Sequence, residues 1–242
     1  MSALDNFLFI GLPYIALVVF LVGTIYRYRA TSFKYSSLSS GFLEKRTLFW
    51  GSMPFHWGIL FLFVGHLIAF VIPSGVLAWN SQPVRLLILE VAAFIFGLSV
   101  LWGLIMLTIR RFSSPRIRSV TNYMDIAIVG LIIAQTVLGL WIALEFRWGS
   151  TWFAATLTPY LRSIFTLQPE IAAVSAMPWI IKLHIVGAYL IVLLIPFSRL
   201  VHLLVAPFHY LWRPYQRVIW NWGKRDVRDP KTGWSTTKPR NN

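Results

Sequence analysis

Long apolar runs alternate with short polar stretches along most of the chain. Each run is about 20 residues or longer, which is the length of α-helix that crosses the hydrocarbon core of a bilayer. Helices are expected because lipid offers the backbone no hydrogen-bond partners, and the runs lack the alternation of barrel strands. The pattern therefore predicts an all-α membrane protein with five transmembrane helices, at about residues 7–26, 53–73, 86–109, 124–144 and 179–200.

Composition agrees with a membrane protein. Of the 242 residues, 57% are hydrophobic and 12% are charged, whereas soluble domains carry about twice that charged fraction. The opening "MSALDN" has no positive charge and no clear cleavage site follows the first run, so we expect that helix to be retained rather than removed as a signal peptide. Two parts are predicted: a membrane domain over residues 1–217 and a polar, basic, flexible cytoplasmic tail over residues 218–242.

The net charge of +14 is distributed unevenly between the two predicted faces of the membrane. Eighteen Lys and Arg residues fall on the side that holds the C-terminus and three on the other side, with Lys182 inside the fifth helix. Cytoplasmic loops carry such an excess of positive charge. We therefore expect the N-terminus outside, the C-terminus in the cytoplasm, and contact with membrane lipid rather than nucleic acid.

The connection between the fourth and fifth helices, residues 145–178, is the longest on the predicted outer side. It contains Trp148, Trp152, Phe153 and Tyr160. Aromatic side chains concentrate at the boundary between lipid and water. We therefore expect this segment to rest on the membrane interface.

Four of the five histidines lie in two predicted helices. His56 and His66 end the stretch "FHWGILFLFVGH" in the second helix, and His184 and His202 lie in the fifth. Ionisable side chains at membrane depth are costly and indicate function. Because the two helices run in opposite directions, depth pairs His66 with His184 and His56 with His202. The fifth histidine, His209, follows Pro207 in a basic region and is interpreted as an interfacial residue.

Two histidine pairs across a membrane favour two haem groups, since imidazole is a common axial ligand of haem iron. The chain has no cysteine, which excludes covalent c-type attachment and leaves b-type haem. A proton or ion path is the main alternative, but such paths usually also use buried carboxylates. Here only Glu90 and Asp125 are near the helices, both close to helix ends.

The spacing of the histidines is unequal. Ten residues of helix rise about 15 Å, whereas the eighteen from His184 to His202 rise about 27 Å. Tilt of the fifth helix, or a kink at Pro196, is expected to absorb the difference.

Three segments resemble the gamma subunit of respiratory nitrate reductase, a five-helix, di-haem b-type cytochrome: "FHWGILFLFVGH", "RRFSSPRIRS" and "LHIVGAYLIVLLIPFSRLVHLLVAP". The resemblance covers about residues 1–217. It implies a distal haem on His66 and His184, near the outside, and a proximal haem on His56 and His202, near the cytoplasm.

The same resemblance implies an oxidoreductase subunit in the cell membrane that oxidises quinol (menaquinol or ubiquinol) near the outer face. Electrons would pass from the distal to the proximal haem and then to a cytoplasmic iron–sulfur (beta) subunit, which serves a molybdenum-containing catalytic (alpha) subunit. The chain has no cysteine and no obvious molybdenum site, so we expect no nitrate reduction by this chain alone.

Basic residues near the predicted haem sites can pair with haem propionates. Arg199 lies three residues before His202, on the same helix face, and its guanidinium can hold a carboxylate. Arg110 and Arg111 are weaker candidates, for which anchoring at the membrane face is favoured. Lys182 can reach the outer interface by snorkelling.

Small residues and one outer arginine complete the predicted sites. Gly58, Gly65 and Gly187 flank the histidines and would allow a flat macrocycle to approach, although glycine also serves ordinary helix packing. Arg85, together with His66 and Gly65, is a candidate for the quinol site. The family carries a lysine at the position of Arg85, and arginine is not an equivalent donor; anchoring of the helix end is the alternative.

Three other functions remain open on the sequence. The chain could serve a related complex, such as a nitrite oxidoreductase or a heterodisulfide- or sulfite-linked reductase. It could be a haem-free anchor for a peripheral complex, or a proton-conducting membrane protein.

Overall fold

The computed structural model describes residues 2–30, 43 and 46–205. Five helices in it are long and apolar enough to cross a membrane, which confirms the predicted fold class. The bounds of these helices are α1 Ala3–Ala30, α2 Arg46–Val71, α3 Pro83–Ser113, α4 Tyr123–Glu145 and α5 Trp179–Leu194. His209 and the predicted tail lie outside the described residues, and the boundary at residue 217 stays a prediction.

Short helical segments fill the connections at one end of the bundle. They are Pro73–Asn80, Gly149–Trp152, the π-helical turn Phe153–Leu157, Thr158–Phe165 and Ala172–Ser175. We call this the His66 end, because α2 ends there shortly after His66. The opposite end, where α3 passes into the short helix Pro115–Arg118, is the His56 end.

Each helix packs against one or two others: α2 packs along α3, α3 against α4, α4 against α5, and α5 against α1. The packing of α2 on α3 is close because glycines face the partner backbone. A Cβ atom at Gly103 would lie 2.6 Å from the carbonyl oxygen of Gly51, and one at Gly58 would lie 2.7 Å from that of Phe96. Small residues allow this approach in membrane helices.

Part of the connection between α4 and α5 packs into the core, and its place on the membrane interface stays a prediction. Tyr160 is only 1% exposed and packs with Phe9 and Ile164. Its hydroxyl donates to the carbonyl of Phe9, 3.0 Å away. Pro13 stands four residues after Phe9 and has no N–H, so the hydroxyl supplies a donor that the α-helical pattern lacks there. Burial raises the pKa of Tyr160, which keeps this hydroxyl protonated.

The same connection satisfies the last carbonyls of α2, which have no partner within their own helix. Thr158 donates to the carbonyl of Ala69 at 3.2 Å, where Pro73 cannot. Arg162 donates to the carbonyls of Phe70 and Val71, with its Nη2 at 2.9 Å from each oxygen. The connection between α4 and α5 therefore fixes the end of the helix that carries His66.

Candidate functional site

The α-helical part of the fifth span stops at Leu194, well before His202. A 3₁₀ turn covers Ile195–Phe197, Ser198 is extended (φ −113°, ψ 179°), and a second 3₁₀ segment covers Arg199–Val205. Proline disfavours continuation of the α-helix because it lacks an N–H and its ring clashes with the preceding turn. From His184 to Leu194 the helix advances ten residues, the same number as from His56 to His66. The rise of a continuous α-helix therefore does not apply to the whole stretch from His184 to His202.

Other side chains stabilise the break. Arg27 of α1 donates to the carbonyls of Pro196 and Ser198. The buried Ser198 hydroxyl accepts from the amide of Leu200 at 3.2 Å. This hydrogen bond lies at the start of the second 3₁₀ segment. His202 is thus presented by a short segment that is held separately from α5.

His56 and His202 face each other at the His56 end. Their ring centres are 6.1 Å apart and the ring planes make an angle of 63°. Two imidazoles on opposite sides of one metal ion, each bonded at about 2 Å, hold their ring centres about 6 Å apart. The separation of this pair therefore fits a shared metal.

The hydrogen bonds of both rings leave the correct nitrogen available. The Nδ1 of His56 lies 2.7 Å from the carbonyl of Ser52, and that of His202 lies 2.6 Å from the carbonyl of Arg199. A carbonyl oxygen can only accept, so each Nδ1 carries the proton and each Nε2 keeps its lone pair. Metal-ligating histidines in proteins are usually oriented in this way.

His66 and His184 are the second predicted pair, near the His66 end. The Nδ1 of His66 donates to the carbonyl of Leu62 at 2.7 Å, and its ring lies 5.3 Å from that of Phe153. The buried Nδ1 of His184 has no hydrogen-bond partner among the described residues. Since a buried polar atom without a partner is costly, a role for this ring beyond packing is indicated.

The donor set therefore fits haem at both pairs. Three of the four rings present Nε2, the fourth holds a buried ring nitrogen without a partner, and the rings that meet come from different helices. Imidazole nitrogen is a frequent axial ligand of haem iron.

The predicted propionate residues lie at the His56 end, where a buried carboxylate engages two of them. Asp125, 2% exposed, accepts from Nε of Arg199 at 2.6 Å and from Nη1 of Arg111 at 3.2 Å. Arg199 also donates to the carbonyl of Val120 at 2.9 Å. Arg110 is buried near the end of α3, with 5% of its surface exposed. The role of these arginines toward propionates stays a prediction.

At the His66 end, the exposed Arg85 lies against a tryptophan. Its guanidinium carbon is 5.4 Å from the ring centre of Trp79, whose indole N–H lies 3.3 Å from the Arg85 carbonyl. A Cβ atom at Gly65 would meet no atom within 4 Å. Arg85 and Gly65 are thus accessible, as a quinol site requires.

The remaining predicted residues have structural contacts. Lys182 lies 3.5 Å from the carboxylate of Asp5. Gly187 faces Gln135, whose side-chain amide donates to the carbonyl of His184 at 2.7 Å. Gly58 packs on α3, as described above.

Comparison with known proteins decides the family. The chain is 35% identical to the nitrate reductase gamma chain of Bacillus subtilis over 208 residues, 84% of this chain and 93% of the relative. It is 34% identical to the respiratory nitrate reductase 1 gamma chain of Escherichia coli over 223 residues, 90% of this chain and 98% of the relative. The nitrate reductase gamma subunit family model matches residues 5–221. The chain belongs to this family.

A gamma subunit of this family is part of an oxidoreductase complex and an integral protein of the cell membrane, which confirms the predicted localisation. A further relative, the nitrate reductase-like protein NarX of Mycobacterium tuberculosis, is 31% identical over 219 residues. Those residues are 84% of this chain but only 32% of that protein.

Sequence reasoning missed the residues of this gamma subunit that hold the segment carrying His202. Asp125 was noted only as a carboxylate near a helix end, and Arg27 only as a positive charge. One local signal was available, because Asn122 and Asp125 have the spacing of a capping box, which the structure contains. Nothing local indicated that Arg199 would reach Asp125 across 74 residues.

Proposed function

We propose that this gamma subunit is the quinol-oxidising cytochrome b of its complex. His66 and His184 would hold a distal haem, and His56 and His202 a proximal haem. When bound, the two haem groups would supply the one-electron transfers between quinol and a cytoplasmic iron–sulfur (beta) subunit, and through it a molybdenum (alpha) subunit. The observation that carries the proposal is the facing pair of His56 and His202. Their ring centres are 6.1 Å apart, and the Nε2 atom of each ring is available.

The protein's own contribution is position. The Nδ1 bonds fix the rotation of three rings and strengthen each imidazole as an electron donor. Thr158 and Arg162 fix the end of α2 near His66, and Arg27 fixes the break before His202.

Quinol oxidation releases two electrons and two protons. Arg85 would donate a hydrogen bond to a quinol oxygen at the His66 end, with its orientation set by Trp79. Gly65 would leave room for the ring beside His66. If the predicted orientation holds, the protons leave outside while the electrons move inward, and the reaction is electrogenic.

Single histidine variants of the assembled complex test this function. We expect His66→Ala and His184→Ala each to remove one b-type haem together with quinol oxidation. His56→Ala and His202→Ala should remove the other haem and leave the first reducible by added quinol. His209→Ala is the matched control and should retain both haem groups. Retention of both haem groups in His66→Ala would contradict the assignment, and a wild-type chain without b-type absorption, expressed with haem supplied, would indicate a haem-free anchor.

A second experiment concerns the quinol residue. Arg85→Gln should raise the KM for quinol while the absorption spectrum of both haem groups stays unchanged. Arg147→Gln, which changes the same charge in the connection after α4, is the control. Equal KM values in the two variants would remove Arg85 from the quinol site.

A further inference from the structure

A continuous set of contacts joins the N-terminus of α4 to the ring of His202. It begins at Asp125, which is 2% exposed and binds Nε of Arg199 at 2.6 Å. The backbone carbonyl of the same Arg199 accepts from Nδ1 of His202 at 2.6 Å. The arginine therefore connects the carboxylate to the imidazole, its side chain on one side and its carbonyl on the other.

The carboxylate is itself held rigidly. One of its oxygens accepts from the amide of Asn122 at 3.2 Å, and the Asn122 side chain accepts in return from the amide of Asp125 at 2.7 Å. Arg111 of α3 donates to the same carboxylate and to the hydroxyl of Thr121. Three separate parts of the chain, the ends of α3 and α4 and the segment after α5, thus meet on one buried negative charge.

We propose that Asp125 is a positioning residue for His202, and through it sets the ring orientation and the reduction potential at the proximal site. This inference rests on the proposed function. The segment Arg199–Val205 is not a continuation of α5, so its placement depends on such tertiary contacts. Asp125 binds the first residue of that segment, only three positions before the ligand.

Two effects of removing the charge act in the same direction. With Asp125 neutral, the guanidinium groups of Arg199 and Arg111 would add uncompensated positive charge near His202, which favours the reduced iron. A looser Arg199 carbonyl would weaken the Nδ1 hydrogen bond and make the imidazole a poorer electron donor, which also favours the reduced iron. Both effects raise the midpoint potential of the proximal haem.

The test is a redox titration of Asp125→Asn in the assembled complex, followed by absorption and by electron paramagnetic resonance. We expect an upward shift of the midpoint potential of one haem, the one that His56→Ala removes, and a change in its low-spin signal, because that signal depends on the angle between the two imidazole planes. The other haem should be unchanged. Glu145→Gln, the same charge change at the exposed opposite end of α4, should shift neither.

Asp125→Glu keeps the charge and is measured alongside, in case the first variant does not accumulate. It should restore the potential but leave an altered low-spin signal, because the longer side chain displaces Arg199. Unchanged potentials and signals in both variants, with two haem groups bound, would overturn the inference and leave the proposed function intact. Absence of haem from the wild-type complex would instead overturn the proposed function.

Discussion

Gly58 and Gly65 lie on the same helix in opposite surroundings, and replacing each by alanine should have opposite effects on stability. At Gly58 the new Cβ would lie 2.7 Å from the Phe96 carbonyl oxygen and 2.7 Å from Cγ2 of Val100. The backbone oxygen cannot rotate away, so α2 and α3 must separate. Overpacking of this kind costs about 1–3 kcal/mol, against a gain of at most about 1 kcal/mol for alanine in a helix. We expect Gly58→Ala to lower the free energy of unfolding, by up to about 2 kcal/mol.

At Gly65 no atom lies within 4 Å of the new Cβ. Only the higher helix propensity of alanine relative to glycine remains. The free energy of unfolding should therefore stay the same or rise by up to about 1 kcal/mol. The assay is equilibrium unfolding of both variants in mixed micelles of SDS and a mild detergent, followed by circular dichroism. Equal stabilities, or a less stable Gly65→Ala, would refute the packing argument. If Gly65 borders the quinol site, Gly65→Ala should also raise the KM for quinol.

Two further predictions concern the core and the break. Tyr160→Phe should lower the free energy of unfolding by about 1–3 kcal/mol, because it leaves the Phe9 carbonyl without this donor. Tyr123→Phe, at a side chain that is 92% exposed, is the control, and an equal effect of the two in the same unfolding assay would contradict the role of the hydroxyl. Pro196→Ala should favour continuation of α5 and carry His202 away from its partner, so haem analysis should find one b-type haem fewer; two intact haem groups would show that the other contacts suffice.

The span positions could be predicted because lipid imposes a simple length and composition on a helix. The break after Leu194 was foreseen only as a possible kink at Pro196. Its form depends on Arg27 and Ser198, which satisfy the backbone groups that the break leaves open. The Arg27 contacts join residues that are 169 and 171 positions apart, and no local pattern encodes them.

Aromatic composition did not indicate which side chains of the connection between α4 and α5 would be buried. Trp148 is 45% exposed, but Tyr160 is buried, and its hydroxyl donates to the Phe9 carbonyl, which Pro13 cannot serve as a donor. The proximity of His56 and His202, in contrast, could be predicted from helix direction and depth, since antiparallel helices bring residues of equal depth together. The carboxylate that supports His202 could not be assigned, because Asp125 had no predicted partner.

The central claim is that each site takes one histidine from α2 and one from either α5 or the segment that follows it. Double variants test this claim most directly. The measurement is the number of b-type haem groups per chain in two double variants of the complex. His56→Ala with His202→Ala should lose one haem, no more than either single variant, because both histidines belong to one site. His56→Ala with His184→Ala should lose both. Loss of both haem groups in the first double variant and of one in the second would contradict the account.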